Sequence, residues 1–466
     1  MRVRNALRLA PLALAVSACI GPVDAPHSRL PVSDETPTRM AQPPAPALPP
    51  MKVFAAPLPA APTRSNVDMA RDFLDLSFQL ESGRDLPVFT RFEGPIRIAV
   101  TGDPAPGMLD DLRALVKRLR SEAGIDIDFG TGPNQVTVNA VPSKSIREYL
   151  PQAACFVVPG ITSLNQYHHA RAAGETDWAQ LRVRERIAIF VPNDVSPQEN
   201  RDCLHEELAQ SLGPLNDLYR LPDSTFNDDN MNSVLTGFDM LMLRATYAPE
   251  LRSGMGREQV ARALPGLMAR LNPRGSGMGG SAVAVTPAAW VEAVQSALGP
   301  KGSLRARTSS AMEALHIARQ EGWQDHRLAY SHFVVARLIQ PYDREAAYAH
   351  LTVAWRIYNA RPETAPHAAQ VAAQLAAHAL HAGNGEMALR LLQGQDRVAQ
   401  RSENAALLAS IQMLQAEALE LTGQTQAAGT VRLDSLGWAR YGFGPDWAVR
   451  AKLNEISALR PARIQG

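Results

Sequence analysis

Residues 196–217, SPQENRDCLHEELAQSLGPLND, constrain the fold more than any other stretch of the chain. The start and stop of a helix are written into it. Ser196 is placed as an N-cap, Pro197 suits the first helical position, and Glu199 completes a capping box. Gly213 can take a left-handed cap and Pro214 cannot continue a helix, so the helix ends there. At about 100° per residue, Cys203, Glu206, Glu207 and Gln210 fall on one face and Leu204, Leu208 and Leu212 on the next. An apolar stripe that docks the helix thus lies beside a polar stripe of two glutamates and a glutamine. That polar stripe is the candidate site.

The spacing of these residues resembles the metzincin zinc peptidases. Their motif H-E-x-x-H-x-x-G-x-x-H/D sets two ligands one helical turn apart, a base between them and a third ligand after a glycine turn. Glu206, Glu207, Gln210, Gly213 and Asn216 stand at those offsets, with Asp217 next. The resemblance implies an α+β domain, a mixed sheet over an active-site-type helix. It also implies ligand positions held by Glu206, Gln210 and Asn216 instead of histidines, with Glu207 in the place of the general base. The literal pair His205-Glu206 is out of frame, because the residue four after His205 is Ala209. Met231, in the polar segment 224–232, stands where metzincins carry a methionine turn beneath the site. The run Leu235-Thr236-x-x-Asp239-x-x-x-Leu243-Arg244-x-x-Tyr247 is similar to the C-terminal helix of the matrixin and serralysin groups. On its own residues it reads as a helix capped by Thr236, with Phe238, Leu241 and Met242 inward. Cys203, the glutamate motif, Asn216-Asp217 and Phe226-Asn227-Asp228 together also resemble a bacterial family known only as a domain of unknown function, over residues 65–251.

At the N-terminus Arg2, Arg4 and Arg8 precede the apolar run 9–16, too short to span a bilayer. Val16-Ser17-Ala18-Cys19 resembles the bacterial lipobox, in which the cysteine is acylated and becomes the mature N-terminus. The alternative is an ordinary cleaved secretory signal. With Ile20 in place of Asp after the cysteine, the resemblance implies a lipoprotein of the outer membrane, facing the periplasm. Setting Cys19 aside leaves Cys155 and Cys203. In an oxidising compartment that even remainder reads as a disulfide closing a loop of about fifty residues, worth about 4 kcal/mol in the chain-entropy model. Two buried free thiols are the alternative.

The organisation expected along the chain is a signal peptide (1–19), a Pro/Ala-rich tether (20–64), the zincin-like domain (65–272), a Gly-rich hinge (273–285) and a helical-repeat domain (286–466). Twelve of the 35 prolines lie between Pro22 and Pro62, a density that suits an extended tether reaching on the order of 100 Å. In the first domain, helices are expected at 66–81 and 106–123, and strands at 96–101, 125–129, 135–141, 155–158 and 187–191. Beyond the hinge the pattern is helical, near 309–321, 325–339, 344–359, 365–382, 386–400, 403–421 and 424–436, after a first helix between Pro287 and Gly299. Ala376, Gly383 and Ala388 recur forty residues later as Ala416, Gly423 and Ala428. Small residues at helix crossings with a glycine between paired helices resemble tetratricopeptide repeats, and a plain helical bundle is the alternative.

A composition of 45% hydrophobic and 20% charged residues allows sizeable cores, and a net charge of +1 gives no support for nucleic-acid binding. Zinc prefers nitrogen and sulfur ligands, so a set of one carboxylate and two amides is not expected to hold it, and no cofactor is expected. The reading is therefore a lipid-anchored binding or scaffold protein with a protein or peptide partner, the strand at 187–191 offering a cleft edge for strand addition. The alternative is a hydrolase using Glu207 with an atypical metal site at Glu206, Gln210 and Asn216. Glu206 and Glu207 do not make a two-carboxylate glycosidase, because adjacent helical residues diverge. His168, His169, His316, His326, His332, His378 and His381 show no ligand spacing.

Overall fold

The computed structural model describes residues 47–461 apart from 56–58, 152 and 282; Cys19 and the segment expected to be a signal peptide lie outside the described residues. The first domain contains helices α1 (Asn66–Phe78), α2 (Met108–Glu122), α3 (Ser143–Tyr149), α4 (Leu164–Ala172), α5 (Pro197–Leu212), α6 (Gly237–Thr246) and α7 (Arg257–Leu271). Its strands are β1 (Ile96–Gly102), β2 (Ile127–Phe129), β3 (Gln135–Val141), β4 (Phe156–Pro159) and β5 (Arg186–Pro192). They form one sheet in the order β2-β1-β3-β5-β4, parallel except for β4, which runs antiparallel to β5.

The period of two along β5 divides the core. Ile187, Ile189 and Val191 pack with α2 and α5 residues such as Leu115, Leu119, Leu204 and Leu208, whereas Ala188 and Phe190 pack with Ile146 of α3 and Tyr167 of α4. Helices therefore cover both faces. This order corrects the expected cleft edge. β5 is an interior strand with β3 on one side and β4 on the other, so it has no free backbone edge to offer a peptide.

The second domain is helical: α8 (Ala288–Leu298), α9 (Leu304–Gln320), α10 (His326–Ile339), α11 (Arg344–Tyr358), α12 (Ala365–His381), α13 (Gly385–Leu392), α14 (Gln395–Arg401), α15 (Ala405–Leu421), α16 (Thr425–Phe443) and α17 (Asp446–Ser457). Neighbours pack as pairs, α8 with α9, α10 with α11, α12 with α13 and α15 with α16. Gly383 and Gly423 take φ of 72° and 79°, a left-handed turn that closes α12 and α15, and Ala376, Ala388, Ala416 and Ala428 are fully buried at the crossings. The helix expected at 386–400 is two, broken at Gly394.

Two segments expected to be loose are packed. Residues 47–55 lie against α16, where Lys52 N–H donates to Gly437 O at 3.1 Å, and Ala60 O sits so close to Gly237 that a Cβ there would clash. The tether therefore loses its last part to the folded body. The Gly-rich hinge is fastened to α1: Ser281 N–H donates to the Asp68 carboxylate at 2.9 Å, and Asn66 Nδ2 donates to Ser276 Oγ at 3.0 Å.

The domains share a seam built on the loop after α5. Tyr219 of that loop belongs to the helical core, its ring edge-on to Trp290 at 5.0 Å, and His326 Nε2 donates to its carbonyl at 2.7 Å. Asp229 meets His367 at 2.9 Å, Arg201 of α5 pairs with buried Glu403, and Gln198 accepts from Ala405 N–H. The helical domain covers this end of the first domain.

Candidate functional site

Helix α5 begins as its residues dictate, with Ser196 Oγ accepting from Glu199 N–H at 3.2 Å and Pro197 in the first turn. Its end differs from expectation. Gly213 is extended (φ −168°), not left-handed, and a Cβ there would press on the Thr246 side chain at 3.0 Å. The cap comes instead from Arg184, 1% exposed, whose guanidinium donates to Gln210 O and Gly213 O at 2.6 Å each. Those carbonyls carry the negative end of the helix dipole, so the buried cation finds its compensation there. Burial lowers the Arg184 pKa to about 10, and it stays charged at neutral pH.

The disulfide Cys155–Cys203 forms, with Cα atoms 5.9 Å apart, and ties the approach to β4 to the middle of α5. Cys203, on the glutamate face of the helix, is thereby fixed three residues before Glu206.

Around Glu206 the structure gathers carboxylates. Burial, then the fields of Glu81, Asp228 and Asp202, push its pKa up to about 8. Asp217 is held well above the ordinary carboxylate range by burial first, and then by Glu81, Asp228 and Glu206. Burial and the field of Glu81 lift Asp228 to about 6, opposed by hydrogen bonds from Tyr219 and from Gln295 of α8. The helical domain thus supplies a group to this cluster. Asp202, one turn before Glu206, is likewise raised to about 8 by burial. Within the group these acids resist ionisation together.

Of the expected ligand positions, Glu206 joins the cluster and Asn216 does not. Asn216 Nδ2 donates to Asp75 O at 3.0 Å at the end of α1 and reaches Gln79 Oε1 at 3.5 Å. Its neighbour Asp217 faces Glu206 in its place. Gln210 and Glu207 are buried on α5. Met231 packs against the core of the helical domain, not beneath α5, because the seam gives that turn an apolar surface of its own. His205 faces away from the cluster, its Nδ1 accepting from Leu235 N–H at 3.1 Å. Thr236 caps α6 as read, and the fully buried Asp239 binds Ser224 Oγ, Thr225 N–H and Thr236 N–H, holding the 224–225 turn to α6. Sequence reasoning missed Glu81 and the role of Asp228. The acidic pair Asp228-Asp229 in a turn is the available signal for the second, and nothing local marks the first.

The three ligand-equivalent positions offer oxygen and amide donors only. Glutamate and two amides lack the nitrogen and sulfur ligands that zinc sites use, and one of the amides is committed to α1. By donor chemistry, Glu206, Gln210 and Asn216 do not fit a catalytic zinc.

The family described as "Protein of unknown function (DUF2927)" matches residues 66–266, from the start of α1 into α7. No curated protein matches the chain.

Proposed function

We propose that the first domain is a metzincin-like platform without zinc chemistry, carried on an outer-membrane lipid anchor at Cys19, and that with its helical domain it binds a protein or peptide in the periplasm. The observation that supports this reading is the chemistry around Glu206. A zinc peptidase needs imidazoles that stay neutral and hold a cation; the matching positions here carry one carboxylate, Glu206, that favours its protonated form, and two amides, Gln210 and Asn216, of which Asn216 fastens α1. Without a Lewis acid, Glu207 has no means of bringing the pKa of water toward neutrality. The strand–helix–strands–helix order and the seating of α5 under β4 and β5 favour the metzincin-like part of the reading. The helical domain, whose Gln295 reaches the cluster, favours a scaffold over an open cleft.

The test is zinc content by elemental mass spectrometry in protein purified from membranes without chelator. Well under one equivalent is expected, unchanged in Glu206→Ala. Near-stoichiometric zinc that disappears in Glu206→Ala would favour the hydrolase reading, with Glu207 as base, and would overturn this one. For the anchor, labelled palmitate should enter the wild-type protein and not Cys19→Ala; equal labelling of both would reject it.

A further inference from the structure

Residues 47–55 run across α16 as a strap with its own binding chemistry. Lys52 donates through its backbone to Gly437 O, and its ammonium pairs with Asp434 while lying 5.4 Å from the Trp438 ring centre. Phe54 stacks on Trp438 at 4.6 Å and meets Tyr441 edge-on at 6.1 Å. Arg440 donates to Pro49 O at 3.0 Å. Gly437 is the position that lets the strap approach, since a Cβ there would stand 2.9 Å from Lys52 Cγ and 3.1 Å from Pro50 O. An acid, an aromatic slot, a carbonyl and a backbone-reading arginine thus line one helix, and Lys52, Phe54 and Pro49 of the strap engage them.

The strap does not fill the groove. A cavity of about 680 Å³ remains between Pro49–Lys52 and residues of α14, α15 and α16, among them Asp396, Gln412 and Leu433. Leu433 is 61% exposed and Val53 of the strap 64%. Asp396 and Asp434 make the walls acidic. Leu48 and Phe54 pack against the helical core, whereas Val53 and the cavity leave the strap open on its other side, so it is a docked segment with room beside it.

We propose that the α16 groove is a receptor for extended peptides of the pattern Pro-Pro-x-basic-x-aromatic, occupied at rest by residues 49–54 of the chain itself and taken by a partner protein that carries the same pattern. The prolines pre-set an extended backbone at low entropic cost, the basic residue meets Asp434, and the aromatic enters the Trp438–Tyr441 slot. Because the strap is tethered, its effective concentration is on the order of millimolar, and an incoming peptide must compete with it. The proposal deepens the binding reading above and rests on it only for the claim that the protein receives a partner.

The probe is a fluorescein-labelled peptide of residues 49–55 (PPMKVFA), titrated by anisotropy with full-length protein. Lys52→Glu sets a like charge against Asp434 and should loosen the strap, so saturable binding at least roughly tenfold tighter than in wild type is expected. Phe54→Ala, which empties the aromatic slot, should do the same. Adding Gly437→Leu, a change that favours the helix, should abolish binding in either background. The proposal is overturned if both loosened variants keep wild-type circular dichroism yet bind no better than wild type. It is also overturned if Gly437→Leu leaves binding intact, or if wild-type protein dimerises at the same concentration through exchanged straps. Zinc found in a protein that binds the peptide would sink the earlier reading alone; a zinc-free protein with no peptide binding would sink this one alone.

Discussion

Burial and the fields of Glu81, Asp228 and Asp202 lift the Glu206 carboxyl to about 8, so the folded chain holds a proton there that the unfolded chain has already released. From about pH 4.3, ordinary for an unfolded glutamate, up to about pH 8, the native state binds more protons than the unfolded one. This group's contribution therefore makes stability fall as pH rises through that window. Glu206→Gln removes it and also relieves Asp217, on which Glu206 acts in the same direction. The gain in melting temperature should be small at pH 4, grow to about pH 8 and level off above it. His326 and His332, lowered to about 4 by burial, oppose the trend between pH 4 and 6.5, but both proteins carry them and they cancel in the difference. A difference that stays flat from pH 4 to 9 would refute the assignment. The offsets group Glu206 with Asn216, whereas the structure sets Asp217 beside Glu206 and turns Asn216 to α1, since an offset counts residues and does not say which way a loop side chain turns. Glu81 enters from the end of α1, a tertiary approach no spacing rule describes.

Elements whose local signals were complete were legible. The strand expected at 135–141 is β3, residue for residue, because an apolar run stood between a Gly-Pro turn and a proline. The Thr236 cap was likewise written locally. Helix α4, which buries only Tyr167 and Ala170, gave too weak a periodicity to find, and the proline inside α7 masked that helix. The misreading of β5 as an edge has another cause. Its residues say that both faces are buried, but neighbour order belongs to the sheet and not to the strand. The disulfide adds an element-level expectation: Cys155→Ser with Cys203→Ser should cost about 4 kcal/mol in urea unfolding, and reductant should weaken the wild type similarly. A loss under about 1 kcal/mol would show that the link constrains little of the unfolded chain.

At the scale of the molecule the two domains are joined by a loop that one of them contributes and the other buries. Tyr219 is covalently part of the first domain and packs in the core of the second, so the wild type should melt in one transition. Tyr219→Ala, opening a hole against Trp290 and Tyr330, should split calorimetric unfolding into two steps and expose residues 214–236 to protease. A single transition at an unshifted temperature would count against the seam as the source of coupling. The strap carries a consequence in time. Lys52 and its partner Asp434 lie 382 residues apart, so the ribosome makes one about 20–75 s before the other at ordinary elongation rates. The first segment of the described chain therefore has no dock until α16 exists, and its seating reports that translation has passed that helix.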